Sequence, residues 1–187
     1  MRVSREEAQA SKKRITQEAA RLMREKGIGA TSVADVMTAA GMTTGGFYKH
    51  FASKDDLTAA AVRAAFDSII IPIQRNAEKA GPAPARAAYL RHYVSQAHVR
   101  NPGKGCPVAA MGADGGRDTA LLAPEFRQGV EEILAFLGAD DMTKPARAAL
   151  IRQMAALVGS IVLARAVGDG DLRDEILAAA GSVAKPS

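Results

Sequence analysis

The chain has no tryptophan, only 4% aromatic residues, and a single cysteine, Cys106, among 187 residues. Few aromatics and few β-branched runs beside abundant alanine argue against sheet and for an all-α protein. One cysteine excludes an intramolecular disulfide and suits a reducing compartment. The opening Met1-Arg2-Val3-Ser4-Arg5-Glu6-Glu7 is charged and lacks the apolar core of a signal peptide. The longest strongly apolar run, Met154 to Ala164, lies between Arg152 and Arg165 and is too short to span a bilayer. A cytoplasmic protein without a membrane partner is the expectation. No H-E-x-x-H, G-x-S-x-G or Walker A motif occurs, and His50, His92 and His98 are scattered. The pattern therefore offers no catalytic residues, no metal site and no cofactor, and an enzyme is poorly supported.

The surplus charge is unevenly shared. Residues 1–64 carry 11 Lys/Arg against 7 Asp/Glu, and so hold most of the chain's net charge of +5. A basic first third points to a polyanionic partner for that part. Its punctuation is dense. Ser4 and Glu7 fit a capping box, Ile15, Ala19, Leu22 and Met23 share one helix face, and Lys26-Gly27 ends that helix. Thr31 or Ser32 caps a short second helix whose inner face is Val33, Val36, Met37 and Ala40. After Gly41, Thr43 caps a third helix reaching about His50, although Gly45 and Gly46 each cost about 1 kcal/mol against alanine in a helix interior. Ser53 to Asp56 repeats the capping-box logic and opens a long helix that Pro72 is expected to kink or interrupt. A packing helix followed by two short helices across a tight glycine turn is the helix-turn-helix arrangement.

The run GIGATSVADVMTAAGMTTGGFYKHFASKDDL, Gly27 to Leu57, resembles the DNA-binding domain of the TetR/AcrR family of bacterial transcriptional regulators. Thr31, Ser32, Val33, Asp35, Val36, Ala40, Gly41, Thr43, Gly45, Phe47, Tyr48, His50, Phe51, Ser53, Lys54 and Leu57 fall in register with that family's pattern. Gly46 stands where Thr, Ser or Ala is more frequent, a variant resembling a GGFY-type subgroup. The resemblance implies a three-helix helix-turn-helix domain over residues 1–53. It implies a larger helical bundle over 54–187 for effector binding and dimerisation, with about nine helices in all. It implies that Thr31, Ser32, Thr43, Tyr48, His50 and Lys54 bind phosphates, while Thr44, Gly45, Gly46 and Lys49 face base edges in the major groove. Independently, a groove-inserted helix needs donors near its N-terminus, where free N–H groups and the dipole attract phosphate. Thr43, Thr44, Tyr48, Lys49 and His50 are donors in that place. Phe47 and Phe51, four apart, should face inward.

The remainder is less explicit. Breaks at Gly81-Pro82-Ala83-Pro84, Asn101 to Gly105 and Asp114-Gly115-Gly116 divide it, with one helix through Tyr89 to Ala97 and a short one from Cys106-Pro107 to about Gly112. Another ends at Gly138, a long one runs from about Pro145 to Val167, and a last one starts at Asp171. On the long helix, Leu150, Met154, Leu157 and Ile161 form one apolar stripe, and Ile151, Ala155, Val158, Gly159, Val162 and Ala166 a second. A helix apolar on two stripes must bury both, and the small-residue stripe suits a twofold mate, as in the family's dimer interface. Candidate ligand contacts are Phe66, Ile70, Tyr93, Cys106, Met111, Phe126 and Met154, with Tyr89, His92 and Gln96 as further polar anchors. Each such residue is more often plain core than a ligand contact. Cys106 precedes Pro107 at a helix start with Lys104 upstream, a setting that favours thiol reactivity. An inert buried cysteine is the preferred reading; the hypothesis set against it is that oxidation or adduct formation at Cys106 tunes DNA release. The expected function is a ligand- or redox-responsive regulator, in the first instance a repressor. It would bind a near-palindromic operator as a homodimer and be released by a small effector. A non-specific architectural DNA-binding protein is the principal alternative, and a helical enzyme a weaker one.

Overall fold

The computed structural model describes residues 5–138 and 143–184; the capping role expected of Ser4 lies outside them. Among the described residues there are nine α-helices, two short 3₁₀ helices and no strand. Helix α1 (Arg5–Lys26) has Glu6 and Glu7 in its first turn and Arg24 and Lys26 in its last, the order its dipole favours. Gly27, at φ 88°, closes it by donating its N–H to the Met23 carbonyl. Ser32 then caps α2 (Val33–Ala39). The Asp35 N–H donates to the Ser32 hydroxyl oxygen and the Ser32 N–H to the Asp35 carboxylate, both at 3.1 Å. Gly41 takes φ 68° at the turn.

The third element differs from the expected α-helix: Thr44–Lys49 is a 3₁₀ helix, and Thr43 precedes it without a side-chain cap bond. Two adjacent glycines in six residues leave too little propensity for a regular α-turn. The segment is anchored instead by its side chains. Phe47 and Phe51 are buried and stacked, with ring centroids 5.8 Å apart, and the Lys12 ammonium of α1 lies 4.9 Å from the Phe51 ring centroid.

Helix α3 (Lys54–Ala80) starts at Ser53, whose hydroxyl accepts the Asp56 N–H. The Asp56 carboxylate takes the Ala52 N–H rather than that of Ser53, so the expected box is displaced by one residue. Pro72 does not interrupt α3. It forgoes the hydrogen bond to the Ser68 carbonyl, but Ile70 and Ile73 on either side pack into the core and hold the helix together. Gly81 separates α3 from α4 (Pro82–Tyr93), which ends four residues earlier than expected because Ser95 caps a separate α5 (Gln96–Arg100). A 3₁₀ turn, Pro102–Lys104, lies in the following loop. Helix α6 (Pro107–Arg117) runs through Gly112 and through the expected loop at Asp114 to Gly116. Gly115 remains helical under the Phe126 ring, where a Cβ would stand 2.7 Å from that ring. Helices α7 (Thr119–Leu137), α8 (Lys144–Ala166) and α9 (Asp171–Val183) complete the chain, with Pro145 in the first turn of α8.

Helix α1 packs on α3, α3 on α4 and α7, and α8 on α9. One buried cluster runs without a break from Ile15 and Phe47 through Leu57 and Phe66 to Ile161 and Leu177. As a helix, α8 is long and apolar enough to cross a membrane, more than its central run suggested. Leu157, Ile161 and Ala164 on one side pack into the bundle, while Ile151, Val162 and Leu163 on the other are about half exposed.

Candidate nucleic-acid interface and ligand cavity

The first surface is built by α2 and the segment from Thr43 to Lys54. Phe47 and Phe51 point into the core, which turns the intervening and preceding residues outward. Thr43, Thr44, Gly45, Lys49 and Lys54 are exposed, Gly46 and His50 half-buried, and Tyr48 is 79% exposed. Its ring leans edge-on against Phe47. Ser32 is also exposed, but its hydroxyl is engaged with Asp35. Thr31 is a correction: it is 1% exposed and donates its hydroxyl to the Gly27 carbonyl at 2.8 Å, so it braces the α1–α2 loop from within and is no surface donor. The paired glycines are not demanded by the fold. A Cβ on Gly45 would meet nothing within 4 Å, and one on Gly46 only ordinary contacts with Met37 and Thr43. Neither has a positive φ.

The second site is a cavity of about 190 Å³ between α3, α4 and the loop entering α6. Its inner wall is Tyr89, Tyr93, His98, Gly105 and Cys106, and its mouth includes Ser68, Pro72, His92 and Lys104. Of the candidate contacts, only Tyr93 and Cys106 line it, together with the anchors Tyr89 and His92. Phe66, Ile70 and Met111 are core instead: Phe66 packs edge-on to Phe126 and lies where a Cβ on Gly129 would be. Phe126 and Met154 are partly buried against that same core, and Gln96 donates to Asp174 at 2.6 Å.

His98 organises the inner wall. Its Nε2 accepts the Cys106 N–H at 2.9 Å, so the proton sits on Nδ1, which donates to the Tyr93 carbonyl at 2.7 Å. Burial pushes its pKa down to about 4, opposed in part by the bond to Tyr93 and helped by Arg165 and His92, so the ring is neutral. Cys106 is 2% exposed. Burial also raises the Tyr93 hydroxyl well above its ordinary value; it lies beside the Cys106 thiol and has no oxygen or nitrogen partner.

This wall is tied to the rest of the molecule on two sides. From α1, the buried Arg24 guanidinium donates to the carbonyls of Ala65 and Gly105 at 3.3 Å and to the Ser68 hydroxyl at 3.0 Å. From α8, Arg165 donates to the carbonyls of His98 at 2.9 Å and Val99 at 3.2 Å. Gly105 leaves room for His98 and Arg165: a Cβ there would stand 2.7 Å from the His98 ring and 2.9 Å from Arg165. Farther along α6, the Asp114 carboxylate accepts the Ile28 N–H at 3.1 Å, beside the surface formed by α2. Sequence reasoning missed Arg24, His98, Asp114 and Arg165. The only signal available was a basic residue placed on the buried face of α1.

Residues 15–61 match the family described as "Bacterial regulatory proteins, tetR family". The match runs from within α1 through α2 and the 3₁₀ segment into the start of α3. A 56-residue segment is 39% identical to the HTH-type transcriptional regulator AcrR of Shigella flexneri, covering 30% of this chain and 26% of that protein. The chain thus matches about a quarter of the length of that curated relative. The whole fold is similar to a TetR transcriptional regulator from Legionella pneumophila, at TM-score 0.77 and 19% identity over 98% of this chain and 97% of that one. It is also similar to the reduced form of E. coli NemR, at TM-score 0.75 and 14% identity over 94% and 95%. A TetR regulator from Chloroflexus aurantiacus J-10-FL gives 0.75 and 21% over 96% and 94%. The segment that matches the family model thus sits on a helical bundle similar in fold to these solved structures.

Proposed function

We propose that the protein is a ligand-responsive TetR-family repressor of the GGFY type, acting in the cytoplasm, with DNA reading in residues 1–53 and effector binding and dimerisation in 54–187. Thr43, Thr44, Gly45, Gly46, Tyr48, Lys49, His50 and Lys54 meet the major groove and its flanking phosphates, with Ser32 at the margin. Two such surfaces, related by a twofold axis, read a near-palindromic operator. Ile151, Ala155, Val158, Gly159, Val162 and Ala166 supply the twofold contact; of these, Ile151 and Val162 are half-exposed apolar side chains that water alone does not favour. A small molecule in the cavity shifts the dimer towards a form whose reading surfaces no longer match the half-site spacing.

The observation that carries this reading is the position of Gly105. Its peptide lines the cavity and also holds Arg24 of the DNA-binding domain, so a ligand that displaces the cavity wall moves α1 with it. The test is an anisotropy titration of promoter and random DNA over a salt series. A regulator gives a promoter-specific component above a salt-steep background. Lys49→Ala should weaken the specific component roughly tenfold while leaving the background nearly unchanged. Equal affinity for both DNAs favours the architectural alternative. For Cys106, the burial of its thiol favours a packing role over oxidant sensing. If a mild oxidant releases DNA from the wild type and not from Cys106→Ser, the redox reading holds.

A further inference from the structure

The chemistry around the cavity specifies its ligand more narrowly than "small molecule". Buried charges in proteins are normally paired. Here Arg24, 7% exposed, makes every one of its described hydrogen bonds to a neutral oxygen: the carbonyls of Ala20, Ala65 and Gly105 and the Ser68 hydroxyl. Arg165, partly buried on the other side of the wall, likewise bonds only to the carbonyls of His98 and Val99. Lys104 and His92 stand at the mouth, and no aspartate or glutamate lines the cavity. Within the wall, the buried Tyr93 hydroxyl has no oxygen or nitrogen partner and only the Cys106 thiol beside it. Lys104 is therefore the cation of the lining itself, Arg24 and Arg165 lie behind the wall, and no carboxylate lines the cavity. Ile69, Pro72, Ile73, Tyr89 and the Tyr93 ring make up its apolar and aromatic part, beside Ser68, His98 and Cys106. At about 190 Å³ the cavity lies below the roughly 300–1,000 Å³ of pockets for drug-sized ligands.

We propose that this cavity binds a small organic monoanion: a compact apolar or aromatic body between Tyr89, Tyr93, Ile69 and Ile73, carrying one carboxylate or similar oxyanion. That oxyanion takes the Tyr93 hydroxyl proton in a hydrogen bond and faces Lys104. Burial keeps the Tyr93 hydroxyl protonated, so it remains a donor across the ordinary pH range. Burial also lowers the pKa of both guanidiniums, Arg24 to about 10, opposed on Arg24 by the charge of Glu25. An anion in the cavity supplies the missing charge next to the Ser68 and Gly105 groups that Arg24 holds. Binding is thereby sensed at α1. This inference rests on the cavity being the effector site proposed above, but it is tested apart from DNA.

The experiment is calorimetric titration of the full-length protein with three probes. Benzoate has both body and charge, benzamide has the body without the charge, and acetate has the charge with almost no body. Benzoate should bind about tenfold more tightly than either of the others, the worth of a charge-assisted hydrogen bond on a buried body. Lys104→Gln, at an exposed position that leaves the fold alone, should reduce that advantage several-fold and leave benzamide unchanged. Tyr93→Phe should weaken benzoate while leaving the thermal midpoint of the free protein unchanged or higher, since it removes a hydroxyl without an oxygen or nitrogen partner. Equal binding of benzoate and benzamide, benzoate binding indifferent to Lys104→Gln, or no benzoate binding overturns the proposal. If acetate binds as tightly as benzoate, the charge is merely a surface attraction and the cavity assignment falls. Benzoate that binds as predicted yet leaves the protein–DNA complex intact contradicts the effector reading and leaves the ligand class standing.

Discussion

Gly45 and Gly46 are where local propensity and function part company. The protein's own packing tolerates a Cβ at both positions, and their backbone angles are ordinary. Under the proposed function, their use is to let DNA approach the backbone closely. Gly46→Leu should therefore leave the thermal midpoint within a few degrees and weaken specific DNA binding at least tenfold, because a side chain there stands between the backbone and the groove. Undiminished binding would remove the glycines from the DNA surface. His98 makes a different prediction. Its pKa is depressed from 6.5 to about 4 in the folded chain. Its contribution to stability is thus complete above about pH 6.5 and lost as the pH falls towards 4, because the unfolded state takes up the proton first. The effect is on the order of 3 kcal/mol at most. Denaturant midpoints should fall more steeply between pH 6.5 and 4.5 in the wild type than in His98→Gln; parallel profiles would mean that the ring is not the buried acceptor described.

Single elements show how a helix gains a task that its residues do not announce. Helix α1 reads in the sequence as a packing helix, and its apolar face at Ile15, Ala19, Leu22 and Met23 is buried as the spacing requires. Arg24 in its last turn looks like a cation placed for the dipole; only tertiary structure sets it 81 residues away on the Gly105 carbonyl. Arg24→Met keeps the stem and removes the guanidinium. It should bind operator about as well as the wild type and lose most of the response to any ligand of the cavity, measured as the ligand concentration that halves DNA binding. A response equal to that of the wild type would separate cavity from reading surface. The capping of α2, the inward Phe47 and Phe51 and the exposed second stripe of α8 were legible, because each depends on spacing within one element. The 3₁₀ form of Thr44–Lys49, the continuity of α3 through Pro72 and of α6 through Gly115, and the burial of Thr31 were not. In each, a contact made by a distant part of the chain, or by the compact core, outweighs the local signal. The polar half of the cavity wall was hidden for the same reason, since His98 and Arg165 are 67 residues apart and act through one carbonyl.

Across the whole molecule, a basic first third stands beside a bundle that leaves an apolar face of α8 uncovered. Ile151 and Val162, continued by Leu163, Val167 and Leu172, form exposed apolar surface along α8 and into α9. Val162→Glu should convert a dimer into a monomer in sedimentation and reduce operator affinity while leaving helical content unchanged. A wild type that is monomeric at micromolar concentration would show that the face serves another partner. The most direct measurement is the binding isotherm of a labelled promoter fragment at fixed salt, read together with its stoichiometry, for wild type and Gly46→Leu. The account predicts two protomers per site for the wild type, at least tenfold preference over random DNA, and loss of that preference in the variant. Wild-type binding with no preference between the two DNAs, or a preference that survives Gly46→Leu intact, would contradict it.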